Sequence, residues 1–219
     1  MIFDKLAQGL YTCGRTEEEE MPDYYFTASP TSKSDVRDIT VTMPEGEYRF
    51  QTDSGVFSRD GLDPGSRLLI ENMPRMESGR ILDLGCGWGA VGTILGRRNP
   101  GCRIVCSDVN ERAVETARGN LKRNGVFNGE CHVSDGLTAL EGQFDQIALN
   151  PPIRAGKTVI YGLFAQARDR LNPGGSLTIV IRKKQGADSA FKELQTLFET
   201  VETIDRGGGY HIIRAGGAK

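Results

Sequence analysis

The chain has 219 residues, with 27 Lys and Arg against 29 Asp and Glu for a formal net charge of −2; hydrophobic residues make up 38% and charged residues 26%. That length suits one large α/β domain with an N-terminal addition, and the balance is ordinary for a soluble folded protein and too polar for a membrane one. No apolar run approaches the roughly 20 residues that span a bilayer, and no basic stretch leads into an apolar core at the N-terminus, so neither a membrane segment nor a signal peptide is expected and the cytoplasm is the expected location.

Residues 1–20 hold Lys5 and Arg15 against Asp4 and the run Glu17 to Glu20, a net of −3, which leaves +1 for the remainder. A glutamate run of this kind is usually solvated, so residues 1–22 are expected to be a disordered or alternative-start extension. Residues 38–52 read as two β-rich runs around Pro44-Glu45-Gly46, hence a hairpin; a loop from Thr52 to Ser58 and a short helix from about Asp63 to Asn72 follow. These elements are expected to form an appendage over 23–72, ahead of a main domain over 73–219. In that domain strands are expected at 80–84, 103–107, 130–134, 144–149, 176–182, 200–205 and 209–215, and helices near 89–98, 111–123, 158–171 and 187–199. Ile160, Leu163, Phe164, Ala167 and Leu171 recur at helical spacing, as do Phe191, Leu194, Leu197 and Phe198, and both stripes are expected to face the core. Asn172-Pro173-Gly174-Gly175 is expected to close one helix. Ser176 to Ile181 is almost continuously apolar or β-branched, as in a strand covered on both faces. The alternation predicts a doubly wound, Rossmann-like, mostly parallel sheet of seven strands with an N-terminal β-hairpin and short helix.

Cys13, Cys86, Cys102, Cys106 and Cys131 are odd in number and include no C-x-x-C pair, and His132 and His211 are the only histidines. Reduced thiols are therefore expected in place of disulfides or zinc, with no metal centre.

Ile81-Leu-Asp-Leu-Gly85-Cys-Gly87-Trp-Gly89 is a hydrophobic strand running into glycines at every second position and then into a helix. Such glycines let the backbone approach a ligand where a side chain would intrude. Asp83, two residues before the first glycine, would repel a pyrophosphate but suits S-adenosyl-L-methionine, which carries an ammonium and a sulfonium and no phosphate. Gly87-Trp-Gly89-Ala-Val-Gly92 also satisfies the dinucleotide pattern G-x-G-x-x-G, so a nicotinamide-dependent oxidoreductase stays open. Asp108, with Val109 beside it at the end of the second strand of the main domain, suits the ribose hydroxyls of either cofactor. Ser134-Asp135, ending the third, is placed for an adenine amino group. The candidate cofactor residues are thus Asp83, Gly85, Cys86, Gly87, Gly89, Asp108, Val109, Ser134, Asp135 and Asn150.

Asn150-Pro151-Pro152-Ile153 follows the fourth strand of the main domain, at the carboxyl edge where open α/β sheets carry their sites. Two prolines fix φ and remove two backbone donors, so the turn presents carbonyls and one side-chain amide in a stiff arrangement. That suits a substrate with N–H donors. A conjugated exocyclic amine is a poor nucleophile, and accepting its two N–H bonds with the Asn150 oxygen and the Pro151 carbonyl favours the pyramidal form with a free lone pair. Positioning would supply most of the catalysis.

These residues, with Tyr24-Tyr25-Phe26, Thr52-Asp-Ser-Gly-Val-Phe-Ser58, Gly65-Ser-Arg-Leu-Leu69, Asp108-Val-Asn-Glu-Arg-Ala113, Asn150 to Lys157 and Lys183-Lys-Gln-Gly-Ala187, resemble the RsmC-like 16S ribosomal RNA guanine-N2 methyltransferases in their compact single-domain form. The resemblance runs from about Asp23 to Ala215. It implies a class I S-adenosylmethionine-dependent methyltransferase whose partner is ribosomal RNA or the small ribosomal subunit particle. The larger members carry a second, degenerate methyltransferase-like domain for which this chain is too short. Where many amino-nitrogen methyltransferases have an aromatic residue at the fourth tetrapeptide position, this chain has Ile153, so Phe57 and Tyr25 become the candidates for stacking on a flipped base. Arg154, Lys157, Lys183 and Lys184 are the candidate RNA contacts, since the near-neutral chain has no global field to offer. A protein glutamine or a DNA adenine as acceptor stays open, as do a non-catalytic RNA-binding role and the choice between monomer and homodimer.

Overall fold

A computed structural model of the protein describes residues 33–56 and 58–219. The extension expected over 1–22 and the first part of the appendage lie outside the described residues. Strand β1 (Arg37–Met43) pairs antiparallel with β2 (Gly46–Thr52), and the register Met43↔Gly46 leaves Pro44 and Glu45 as a two-residue turn. Val41, Met43, Tyr48, Phe50 and Thr52 are buried while their neighbours are mostly exposed, the period-two pattern of a ribbon with one face on a core. Helix α1 (Pro64–Asn72) starts where the Asp63 carboxylate accepts the N–H groups of Gly65 at 3.0 Å and Ser66 at 3.1 Å, with Pro64 in the first turn where its missing donor costs nothing.

The main sheet has seven strands: β3 (Gly79–Leu84), β4 (Cys102–Asp108), β5 (Gly129–Val133), β6 (Phe144–Leu149), β7 (Leu171–Arg182), β8 (Phe198–Gly207) and β9 (Tyr210–Ala218). Their order is β5-β4-β3-β6-β7-β9-β8, parallel throughout except that β9 runs antiparallel to both β7 and β8. The chain starts at β3, moves outward to β5, and returns to lay β6 on the other side of β3. This reversal opens a crevice at the carboxyl ends of β3, β4 and β6.

Two apolar cores cover the two sheet faces. Ile81, Ile104, Cys106, Ala148, Val180 and Ile212 pack on one side with the hairpin, α1, α2 (Ala90–Arg98) and α3 (Glu111–Arg123). Leu82, Val105, Ile147, Leu149, Leu177 and Ile179 pack on the other with α4 (Lys157–Asp169) and α5 (Ala187–Leu197). Successive strand residues thus alternate between two buried faces, which is why the strands read as continuous apolar runs.

The appendage expected from the sequence shares the first of these cores. The Phe50 ring meets Trp88 of the glycine loop edge-on, with centroids 4.9 Å apart. The buried Asn120 amide joins three elements, accepting from Gln51 N at 2.8 Å and donating to Gln51 O at 2.7 Å and Trp88 O at 2.8 Å. Two boundaries differ from expectation. Asn172 to Gly175 does not simply end a helix: α4 stops at Asp169, β7 begins at Leu171, and the register against β6 jumps from Phe144↔Leu171 to Gln146↔Ser176, so the Pro-Gly-Gly segment is an excursion within a strand. Helix α5 stops at Leu197 because Phe198 turns into the core as the first residue of β8.

Candidate active site

The loop after β3 is pinned from below. The N–H groups of Gly85 and Cys86 both donate to Ser107 O, at 2.8 and 2.9 Å, which fastens the turn to the end of β4. At Gly87 φ is +52°, and a Cβ there would meet no protein atom within 4 Å, so the backbone faces open space. Gly85 has the same property. Gly92, in the first turn of α2, is glycine for the opposite reason: a Cβ there would collide with Cys106 Sγ.

Two carboxylates crowd this loop. Asp83 is 3% exposed and accepts the Gly92 N–H at 2.8 Å. Its burial pushes the carboxyl up to about 7, against the lowering effect of that hydrogen bond and with a smaller push from Asp108. Asp108 accepts Gly87 N–H on one oxygen and Asn110 N–H on the other, both at 2.9 Å, and burial raises it as well. Of the loop and α2-entrance amides that would hold a pyrophosphate, Gly87 and Gly92 are engaged by carboxylates and Gly85, Cys86 and Gly89 by backbone carbonyls. The arrangement takes a cation. Open glycines beside buried carboxylates fit the ammonium, sulfonium and ribose of S-adenosylmethionine and do not fit a dinucleotide.

Ser134 is buried, and its Oγ accepts the Ala139 N–H at 3.1 Å, so the hydroxyl caps the following turn. Asp135 beside it borders the cavity with a side chain that no described residue engages. Val109 adds an apolar wall. Leu163, read from its spacing as a core residue, only partly joins the core; with Val159 it reaches the cavity from α4. Cys86 also borders the cavity, but although Cys106 hydrogen-bonds to it, burial and the two carboxylates push its thiol up to about 12, too high for a nucleophile. Cys86, Cys102, Cys106 and Cys131 are all free thiols.

On the far side of the crevice Asn150 follows β6, and its Nδ2 donates to Ser66 Oγ of α1 at 3.0 Å. The two residues are 84 positions apart. Asn150 Oδ1 has no donor among the described residues. Pro152 O is taken by Ala155 N–H at 2.9 Å, closing a 3₁₀ turn at Ile153–Ala155, while Pro151 O has no described donor. Asn150, Pro151 and Pro152 border the cavity. Ile153 does not, and packs instead against the α4 side of the core. Arg154 and Lys157 are exposed beside that turn, and Lys183 and Lys184 are exposed in a 3₁₀ turn at the end of β7, next to β6 in the sheet. All four sit at the carboxyl edge, outside the cavity lining and without an ion pair among the described residues. Phe57 and Tyr25 lie outside the described residues.

The cavity is about 390 Å³ and joins both halves of the crevice. Sequence reasoning missed the part of its wall built by Val56, Leu62, Asp63, Ser66 and Trp88. Val56 and Trp88 lie within readable motif segments, and Asp63 and Ser66 mark the capped start of a helix, but nothing local links a cap to a loop 84 residues on.

A family model described as the methyltransferase small domain matches residues 47–214. The chain belongs to that family. Proteins of similar sequence include the uncharacterized protein YbxB of Bacillus subtilis, 40% identical over 199 residues that cover 89% of this chain and 98% of that protein. The ribosomal RNA small subunit methyltransferase C of Pseudoalteromonas translucida is 37% identical over 169 residues, covering 74% of this chain and 49% of that one. Among solved structures, the T. thermophilus 16S rRNA N2 methyltransferase RsmC in complex with AdoMet and guanosine has a TM-score of 0.75 and 27% identity, covering 86% of this chain and 52% of that one. The chain thus spans about half the length of these two ribosomal RNA methyltransferases. It is an S-adenosylmethionine-dependent methyltransferase of RsmC type with the Rossmann-like fold expected from its sequence. No helix among the described residues is long and apolar enough to cross a membrane.

Proposed function

We propose that this protein transfers a methyl group from S-adenosylmethionine to the exocyclic N2 of a guanine in 16S ribosomal RNA, presented as naked RNA or within the small ribosomal subunit. The observation that carries the reading is the state of the turn after β6: the Asn150 amide nitrogen is engaged by Ser66, so its oxygen is left as an acceptor beside the unengaged Pro151 carbonyl on the cavity wall. Two acceptors on a stiff turn match the two N–H bonds of an amino group, whereas a hydroxyl would fill only one of them and a carbon nucleophile neither. S-adenosylmethionine supplies an activated methyl group on a sulfonium, whose departure as a neutral thioether needs no acid. Asp83 holds the cationic end, Asp108 the ribose hydroxyls, Asp135 the adenine amino group, and the open backbone at Gly85 and Gly87 lets the ligand lie against the loop.

The acceptor class rests on charge and on relatives. Arg154, Lys157, Lys183 and Lys184 form an exposed basic rim on the same edge as Asn150, which favours a polyanion over a protein side chain. The relatives of similar sequence and fold include proteins named for small-subunit ribosomal RNA methylation. Transfer of tritiated methyl groups to hypomethylated small-subunit particles, followed by nucleoside analysis, tests the proposal. N2-methylguanosine is the expected product. Label in methyladenine, or in protein after incubation with ribosomal protein fractions, would overturn the acceptor while leaving the amino-nitrogen chemistry in place.

A further inference from the structure

The turn that carries Asn150 is not self-sufficient. Its prolines fix the backbone, but the side-chain amide can still rotate, and a rotated amide would offer the amine two more N–H donors where an acceptor is required. The hydroxyl of Ser66, a residue 7% exposed, lies 3.0 Å from Nδ2 and is the only described group that engages this amide. We propose that Ser66 is a positioning residue for methyl transfer, holding the Asn150 amide with its oxygen toward the acceptor amine, and that α1 is thereby part of the active site. This rests on the amino-nitrogen reading above.

Ser66 is itself held. Its backbone N–H donates to the Asp63 carboxylate at 3.1 Å, in the N-terminal turn of a helix whose Leu69 and Ile70 are fully buried in the core shared with the sheet. The Asp63 cap fixes Ser66, and Ser66 fixes the orientation of Asn150. The hydroxyl suits the task because it accepts from an amide and donates to a carboxylate, so it anchors an aspartate at position 150 as well as an asparagine.

The test uses the full chain and hypomethylated small-subunit particles, with Ser66→Ala, Ser66→Thr, Ser66→Cys, Asn150→Ala and the double Ser66→Ala/Asn150→Ala variant. Single-turnover rates give the chemical step, and calorimetry and melting check cofactor binding and folding. Loss of orientation should slow Ser66→Ala about 10- to 100-fold with cofactor affinity unchanged. Ser66→Thr, which keeps the hydroxyl, should recover most of the rate, and Ser66→Cys, a weak acceptor of similar size, should not. Because Ser66 acts through Asn150, adding Ser66→Ala to Asn150→Ala should cost less than about twofold more. The Asn150 side-chain amide protons, followed by NMR, should exchange with water faster in Ser66→Ala. Wild-type rates in both Ser66→Ala and Ser66→Cys, or an undiminished Ser66 effect in the Asn150→Ala background, would overturn the positioning role alone. A wild-type rate in Asn150→Ala would overturn the amino-nitrogen reading and this inference together.

Discussion

Asp83 shows how one side chain links folding, protonation and binding. Its folded value of about 7 lies above its ordinary 3.8, so the folded protein retains a proton there that the unfolded chain has released. Its contribution to stability is therefore present below about pH 4 and is lost as pH rises toward about 7. A bound cation favours the ionised carboxylate, so binding S-adenosylmethionine should expel that proton, and affinity should rise between about pH 6 and about pH 7. Calorimetry in two buffers of different ionisation enthalpy should detect proton release in the wild type and markedly less in Asp83→Asn; equal release in both would remove Asp83 from the ammonium site. Replacing Asp83 or Asp108 with alanine should weaken cofactor binding by about 1–3 kcal/mol, the cost of leaving charged or hydroxyl donors unpaired. Wild-type affinity in both would break the cofactor assignment. Asp83 and Asn150 were legible in the sequence because one stands just before and the other just after the end of a strand that runs into a loop of unusual composition. Ser66 was not, because its partner is set by the packing of α1 against the sheet and no spacing records that.

At the level of elements, the loop from Gly85 to Gly92 contains glycines of two kinds, and they should fail differently. Gly92→Ala drives a Cβ into Cys106, within the core between α2 and β4, so overpacking should lower stability by about 1–3 kcal/mol. Gly87→Ala adds a methyl to open space at a left-handed φ of +52°, so its strain should cost about 1 kcal/mol while the methyl blocks the ligand. Thermal melting with and without cofactor separates them: Gly92→Ala should melt lower yet keep a cofactor-induced shift, and Gly87→Ala should lose the shift. The reverse pattern would mean that the loop does not line the cofactor site. The alternation of strands and helices was readable because both sheet faces are covered, which leaves continuous apolar strands and striped helices. The excursion within β7 was not, because Asn172-Pro173-Gly174-Gly175 has the composition of a helix stop and only pairing with β6 makes it part of a strand. The union of hairpin and catalytic domain was equally hidden, since the Asn120 bridge joins residues about 70 positions apart.

Across the molecule, a chain of net charge −2 has no global field to attract RNA, so the proposed substrate would have to be met through the local basic rim. Neutralising Arg154 and Lys157 together should weaken RNA binding, with the loss relieved at low salt and cofactor affinity near wild type. An apparent RNA affinity that is unchanged at every salt concentration would refute their role. The segment that follows the hairpin, α1, the glycine loop and the turn after β6 all border one cavity, and Asn150 is the residue on which the proposed chemistry there depends. The direct measurement is the single-turnover rate of methyl transfer to the same RNA by Asn150→Ala and Asn150→Asp. The alanine variant should be slower by two or more orders of magnitude, about 2.7 kcal/mol or more in the barrier, with S-adenosylmethionine affinity nearly unchanged, and the aspartate variant should retain more activity. An alanine variant that transfers methyl groups as fast as wild type would contradict the account, because Asn150 would then do no more than close a turn.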